Sequence, residues 1–539
     1  MPPQVQPIAD VPISLDFSPG VQRDGTRFDA NRYLHMLWCR FRNSRPRKIL
    51  GYVAAFQGLN GVPRKIHIYY SGDLIIVHVG TTAGIQQVIL DPNGNFISSA
   101  DRTPLGGGFP GGPAIGWTLD ALFDTTSTVV QLVAHPATDT QFLAGAIPAL
   151  PLVGQIDAQT PLQQVQQPAN IGGGIYIPPS VTGGIVAAQP YVFAFGAGGQ
   201  VNWSAPNIVN TLGVSQGTTG AGTARISAQK IVYGYPLRGG GAQSPAALFW
   251  SISELIGATF IGGTPVFAFN TISPSTSILS SDTVIEYDGL YFWAGIDRFM
   301  VFNGTTVEVL NTQNQDWFFD NMNWNYAVKS FAFKVPRFGE IWFCAPLFGA
   351  TEPSHAAIFN VRENVWYDTA LPNGGRSCGY LAQGIRYPLM GGSVPGPNGK
   401  YTLWLHENGY DQVTPGQAPV PIRSYFETPF IGGIKNTPPN DQGMSAQQLE
   451  PDFKQFGDMF AYMLTSANSS HARQGEVQGP SFPIRFVPQV PQEQLTGLKS
   501  PESTARLMRL HIESNVLGGY YESGRHLLHA EVADARRTS

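Results

Sequence analysis

Residues able to do chemistry are sparse in this chain and do not gather into a recognised pattern. A serine nucleophile elbow needs Gly-x-Ser-x-Gly on a sharp strand-to-helix turn, and "GVSQG" (Gly213 to Gly217) has the letters. The following "TTGAGTARIS" reads as a loop entering a strand, so the match is a chance one in a glycine-rich chain. "GPNGKY" places a lysine after glycine but before a strand, which leaves no helix N-terminus to meet a phosphate. The ten histidines include no His-Glu-x-x-His pair, and His526 and His529 sit three apart on a strand-like segment, which points them to opposite faces. Asp288, Asp297, Asp316 and Asp320 are the carboxylates from which a glycosidase pair would have to come, although Asp288 is explained by a turn. Asn202, Asn303 and Asn468 open glycosylation-type triplets, which carry weight only in a secreted chain. Cys39, Cys344 and Cys378 are odd in number and far apart, and read as buried thiols. These residues predict no enzyme, no cofactor and no metal.

One cluster stands out. "CRFRNSRPRKILGY" (Cys39 to Tyr52) carries Arg40, Arg42, Arg45, Arg47 and Lys48 on a hairpin with Asn43-Ser44 at its turn. Strand alternation would place Arg40 and Arg42 on one face and Cys39 and Phe41 on the other. Such a strip can face DNA phosphates, or pair with acids across a subunit interface. A plain solvated hairpin is the alternative.

The elements that would hold these groups are strands. Charged residues make up 13%, about half the usual ~25%, while Gly (61) and Pro (43) favour turns over long helices. The 42% apolar share excludes a disordered chain. The net charge of −4 gives no global attraction for a polyanion, and 24 of the 33 basic residues are arginines, the residue better suited to planar interface pairs. The N-terminal "MPPQVQPIADVPISLDF" lacks a signal-peptide pattern and no run of about 18 apolar residues occurs, so no secretion signal and no membrane span are expected.

Short strands recur between Asp-Gly, Asn-Gly and similar turns, which set register because type I′ turns require positive φ. "VIEYDGLYFWAGIDRFMVFNGTTVEVL" (Val284 to Leu310) divides into four strands, the content of one propeller blade. Its alternation puts Tyr291 and Trp293 on one face and Leu290 and Phe292 on the other, as between packed sheets. "HIYYSGDLIIVHVG", "IQQVILDPNGNFI", "EIWFCAP", "AAIFNVRENVWYDT" and "YTLWLHENGYDQV" continue the series. "WSISELI" (Trp250 to Ile256), with Ser251 and Glu254 in capping-box spacing, and "WTLDALFD" (Trp117 to Asp124) read as short helical turns. Residues 145–190, rich in Pro, Gln and Gly, and residues 431–504 read as long loop insertions, and "RLMRLHIESNVLGGYYESGRHLLHAEV" as two strands about a glycine turn.

The predicted fold is all-β: a β-propeller of short antiparallel meanders with an additional C-terminal β-sandwich or barrel-like domain and long loop insertions. Residues 1–58 form an N-terminal segment with the basic hairpin, 59–413 the propeller and 414–539 the C-terminal β domain. A sandwich or barrel fits the same signals less economically.

Several stretches together resemble the tail nozzle, or packaged-DNA stabilisation, proteins of short-tailed, podovirus-like bacteriophages. These are "SPGVQRDGTRFDANRYLHMLWCRFRNSRPRKILGY", "YVFAFGAGGQVNWSAPN", "SSDTVIEYDGLYFWAGIDRFMVFNG", "FKVPRFGEIWF", "AIFNVRENVWYDTALP" and "RLHIESNVLGGYYESGRHLL". The resemblance implies a structural virion protein of the viral tail: a propeller with an added β domain, assembled as a homohexamer ring below the portal and adaptor. It would contact tail fibres or spikes, and would close the DNA channel, retain the packaged genome and conduct double-stranded DNA during ejection. In that setting Arg40, Arg42, Arg45, Arg47 and Lys48 are candidate channel or subunit-interface residues. The alternative is a propeller-type tail protein that binds or cleaves glycan. The absence of a repeated Ser-x-Asp-x-Gly-x-Thr-Trp box weakens one such family.

Overall fold

The computed structural model describes residues 11–27, 30–105, 114–138, 151–165, 182–212, 220–237, 246–381, 384–431, 443–466, 476–486, 503–505 and 507–533. Among these, the strands form an all-β propeller of seven sheets and a second β body beside it.

Each blade is an antiparallel meander, and blade five shows why the sequence folds so. Its strands Ile285–Tyr287, Leu290–Ala294, Phe299–Phe302 and Val307–Leu310 are adjacent both in the chain and in the sheet. Asp288 (φ 51°) and Gly289 (φ 83°) supply the two positive-φ positions of a I′ turn. Tyr291 and Trp293 pack towards blade four, where Trp293 meets Trp250 at 5.7 Å. Phe292 and Leu290 face blade six, with Phe292 6.2 Å from Phe359. The aromatic alternation is blade-to-blade core.

The ring opens with Pro63–Ser71, the first strand of blade one, which lies against Ala114–Asp124 of blade two on one side and Arg376–Tyr380 of blade seven on the other. Blade seven is completed out of sequence order. Its strands Arg376–Tyr380, Leu389–Gly392 and Tyr401–His406 are joined by Tyr52–Leu59, so a strand preceding all the blades seals the ring.

The remaining N-terminal strands belong to the second body. Val11–Leu15 pairs with His526–Ala533, His35–Leu37 with Ser424–Glu427, and the hairpin Cys39–Arg42/Arg45–Lys48 joins Tyr520–Ser523. Within residues 1–58 the described strands are divided between both bodies. One apolar core runs through the junction, holding Trp38, Phe41 and Tyr521 with Phe333 and Trp342 of blade six and Trp404 of blade seven.

Several local expectations differ from the structure. Trp117–Asp124 lies in a strand, because Trp117, Leu119 and Ala121 alternate with Thr118 and Asp120. Trp250–Ile256 is a hairpin: the Ser251 hydroxyl accepts the N–H of Ser253 and Glu254 as an N-cap would, but across a turn between strands. Within 145–190, Leu152–Gln155 and Gln163–Gln164 are the outer strands of blade two, and Gly184–Ala188 opens blade three; residues 145–150 and 166–181 lie outside the described residues. Within 431–504, Gly443–Glu450, Phe453–Phe456 and Met459–Ser466 are strands of the second body rather than loop. The C-terminal stretch forms three strands, Leu507–Ser514, Tyr520–Ser523 and His526–Ala533. Gly213 to Gly217 and Asn468 lie outside the described residues. Among the described residues no helix is long and apolar enough to cross a membrane.

Candidate functional site

The basic hairpin does not form an exposed strip. Its strands are inserted between the second body and blades six and seven, so Cys39, Arg40 and Phe41 are all buried and only Arg42 of that strand is exposed. The face alternation read from the sequence fails because both faces of the strand are covered. At the tip, Asn43 (φ 50°) and Ser44 (φ 62°) make the positive-φ turn without a glycine. Their N–H groups donate to the Glu363 carboxylate of blade six at 2.8 and 3.1 Å, which helps hold this less favourable turn in place.

Arg40 is 1% exposed and joins two blades. Its Nη1 donates to Glu407 Oε2 at 3.1 Å and its Nη2 to Glu340 Oε2 at 3.1 Å, while Nη2 also meets Glu407 Oε1. The guanidinium lies over the Phe338 ring, 3.7 Å from its centroid. Glu340 accepts further hydrogen bonds from Tyr367 Oη (2.5 Å) and Trp342 Nε1 (2.9 Å). Burial, reinforced by the charge of Glu407, holds Glu340 above the ordinary carboxyl range despite Arg40. A group so enclosed cannot touch DNA phosphates.

The other basic residues also turn inward or pair within the chain. Lys48 is 1% exposed, its Nζ has no hydrogen-bond partner, and burial lowers it to about 8. Arg45 pairs with Asp16 at 3.0 Å, and Arg47 with Glu522 at 3.3 Å while lying over Tyr520. Of the five predicted residues, Arg42 alone is exposed in the way a phosphate contact requires.

The sequence reading missed the partners and a second set of charges at the propeller axis. Lys65 of blade one pairs with Asp282, just before blade five, at 2.6 Å. Arg64 pairs with Glu352 of blade six, which Lys329 also contacts at 2.7 Å. Blade one borders blades two and seven, so the Lys65–Asp282 pair reaches across the ring. Lys334 and Glu286 tie blades six and five at 2.9 Å. Asp120, half-buried on the first strand of blade two, is raised to about 6 by desolvation although it accepts the N–H groups of Ala187 and Ala121. These axial groups are largely paired with one another, an arrangement that ties blades together.

A third cluster joins the N-terminal segment to blade six. Arg23 donates from Nε and Nη2 to Asp368 at 2.8 to 3.0 Å and from Nη1 to His35 Nδ1 at 2.5 Å. Burial, with the Arg23 charge beside it, lowers His35 to about 3, so its ring is a neutral acceptor. Asp24 accepts the N–H groups of Asp316 and Trp317, capping the short helix Gln315–Asp320. Among the described residues no group of three or more His, Cys, Asp or Glu is placed to hold a metal ion.

No family model matches the chain, and no curated protein matches it. Among solved structures it is similar to the WD40 β-propeller domain of Doa1, with 10% identity over 66% of this chain and 97% of that one and a TM-score of 0.38. It is also similar to BBS1N in its complex with ARL6DN, with 7% identity over 66% of this chain and 96% of that one and a TM-score of 0.38.

Proposed function

We propose that the chain is a structural virion protein, the tail nozzle of a short-tailed bacteriophage, six copies of which form a ring that closes the DNA channel and conducts the genome during ejection. One observation carries the reading. The first and last stretches that resemble nozzle proteins, Ser18 to Tyr52 and Arg509 to Leu528, are separated by most of the chain and yet share sheets in the second body. That body is fixed to blades six and seven by a common apolar core and by the Arg40, Arg23 and Asn43-Ser44 contacts. A ring subunit under load from packed DNA needs such a joint, because a hinge there would let the channel yield. The basic residues of the hairpin other than Arg42 are buried or half-buried, which suits a wall along which a polyanion must slide without being gripped.

Electron microscopy of the purified protein, alone and mixed with portal and adaptor, tests this. Six-fold rings docking below the adaptor are the expected result. Monomers in both samples would count against the reading, and shortened host polysaccharide after incubation would favour a glycan-cleaving protein instead.

A further inference from the structure

A cavity of about 210 Å³ opens at the junction between blade six and the N-terminal segment. Its walls are aromatic: Trp317, Phe348, His355 and Tyr425. Trp317 and Phe348 have centroids 6.1 Å apart, and Phe348 meets His355 edge-on at 5.0 Å. The rest of its lining mixes the Arg23–Asp368 pair and Thr369 with the apolar Met36, Leu37 and Ala370.

Two features set this cavity apart from a packing defect. Phe348 is 56% exposed and has φ 55°, a conformation that is a true outlier for a bulky residue. Strain combined with exposure of a large aromatic ring at a cavity is a signature of a site. The walls are also held in place independently of any occupant. Asp24 caps the helix that carries Trp317, the Phe348 N–H donates to Asn321 O, and the Arg23 N–H donates to Gln313 O and Asn314 Oδ1.

The chemistry selects the occupant. Arg23 and Asp368 cancel each other's charge, and burial lowers His355 below its ordinary range, so the cavity favours neither an anion nor a cation. A sugar ring has an apolar face for the walls and an edge of hydroxyls for Arg23, His355 and Tyr425. The volume lies below the ~300–1,000 Å³ of pockets for drug-sized ligands, and suits a single ring. We propose that this cavity binds one neutral pyranose residue, stacked on the exposed Phe348 ring with its edge against Trp317 and its hydroxyls towards the Arg23–Asp368 pair and His355.

Titration of the full chain with the methyl glycosides of glucose, galactose and N-acetylglucosamine, followed by saturation-transfer NMR and calorimetry, tests the proposal. At least one should bind saturably, with a dissociation constant on the order of millimolar for a single ring. Phe348→Ala and His355→Gln should each weaken it at least about tenfold. Trp324→Ala, which removes an exposed tryptophan outside the cavity, should leave it unchanged. Saturable binding to none of the three, unchanged binding in both cavity variants, or displacement of the sugar by phenol at lower concentration would each overturn it; the last would identify a pocket for an aromatic side chain.

Discussion

Single buried charges decide much of the behaviour at the residue scale. Lys48 is enclosed without a hydrogen-bond partner, and a buried cation in that state opposes folding. Lys48→Met should therefore stabilise the protein by about 1–3 kcal/mol at neutral pH in urea denaturation. Because the folded pKa is lowered to about 8, the unfolded chain binds more protons between there and about 10.5, so native stability gains a rising contribution across that window. The Lys48→Met variant should lose that contribution. Arg40 is the opposite case. Arg40→Met strands Glu340 and Glu407 without their cation, and should cost about 3–5 kcal/mol in the same assay.

A second cluster makes a distinct pH prediction. His511 is stacked on Tyr462 at 4.3 Å and bonded to Glu427 and Glu513, which outweigh burial and raise it above its ordinary range. Burial pushes Glu427 up, but the His511 hydrogen bond and the Arg509 charge bring it down to about 2. The depressed carboxyl contributes stability above its unfolded value of about 4.5, lost as pH falls towards 2. The raised histidine contributes fully below about 6.5, and its share is lost as pH rises through its folded value. The cluster should therefore stabilise most between those limits, and Glu427→Gln should flatten both flanks of a melting-temperature profile.

Elements were legible in the sequence wherever turn chemistry and alternation agreed. Blade five was readable because Asp288-Gly289 and Asn303-Gly304 mark its turns, and the Asn303 side chain accepts the N–H groups of Thr305 and Thr306. Misreadings arose where a local hydrogen-bond pattern serves two structures, as at Ser251, or where composition hid a strand, as at Leu152–Gln155. The inward turn of the basic hairpin could not be read, since Glu340 and Glu407 lie some three hundred residues or more away and nothing in the local pattern announces them. Blade packing supplies a test at this scale. A methyl group on Gly80 would stand 2.4 Å from Trp117 Cγ, between blades one and two, whereas one on Gly289 meets nothing within 4 Å and suffers only from φ 83°. Gly80→Ala should cost several times the ~1 kcal/mol expected for Gly289→Ala, as measured by chemical denaturation.

The whole molecule is closed twice by its N-terminal strands: Tyr52–Leu59 seals the propeller and Val11–Leu15 pairs with the last strand of the second body. Deleting residues 11–59 should leave blade seven with an open edge and Tyr520–Ser523 without its hairpin partner. The expected outcome is an aggregating chain, read by light scattering, with no cooperative melt. Substituting Arg42 alone should change neither property.

The pairing of Val11–Leu15 with the last strand also sets a schedule. Val11 pairs with Ala530, so about five hundred residues must be synthesised before the first strand meets its neighbour, on the order of 25 to 100 s at ~5–20 residues per second. The seven blades between, the last sealed by Tyr52–Leu59, can form in order during that interval, while Val11–Leu15 waits without its partner. Completion of the second body is therefore a late event in translation, and chains released between Val413 and His526 would carry a sealed propeller without the pairing of Val11–Leu15.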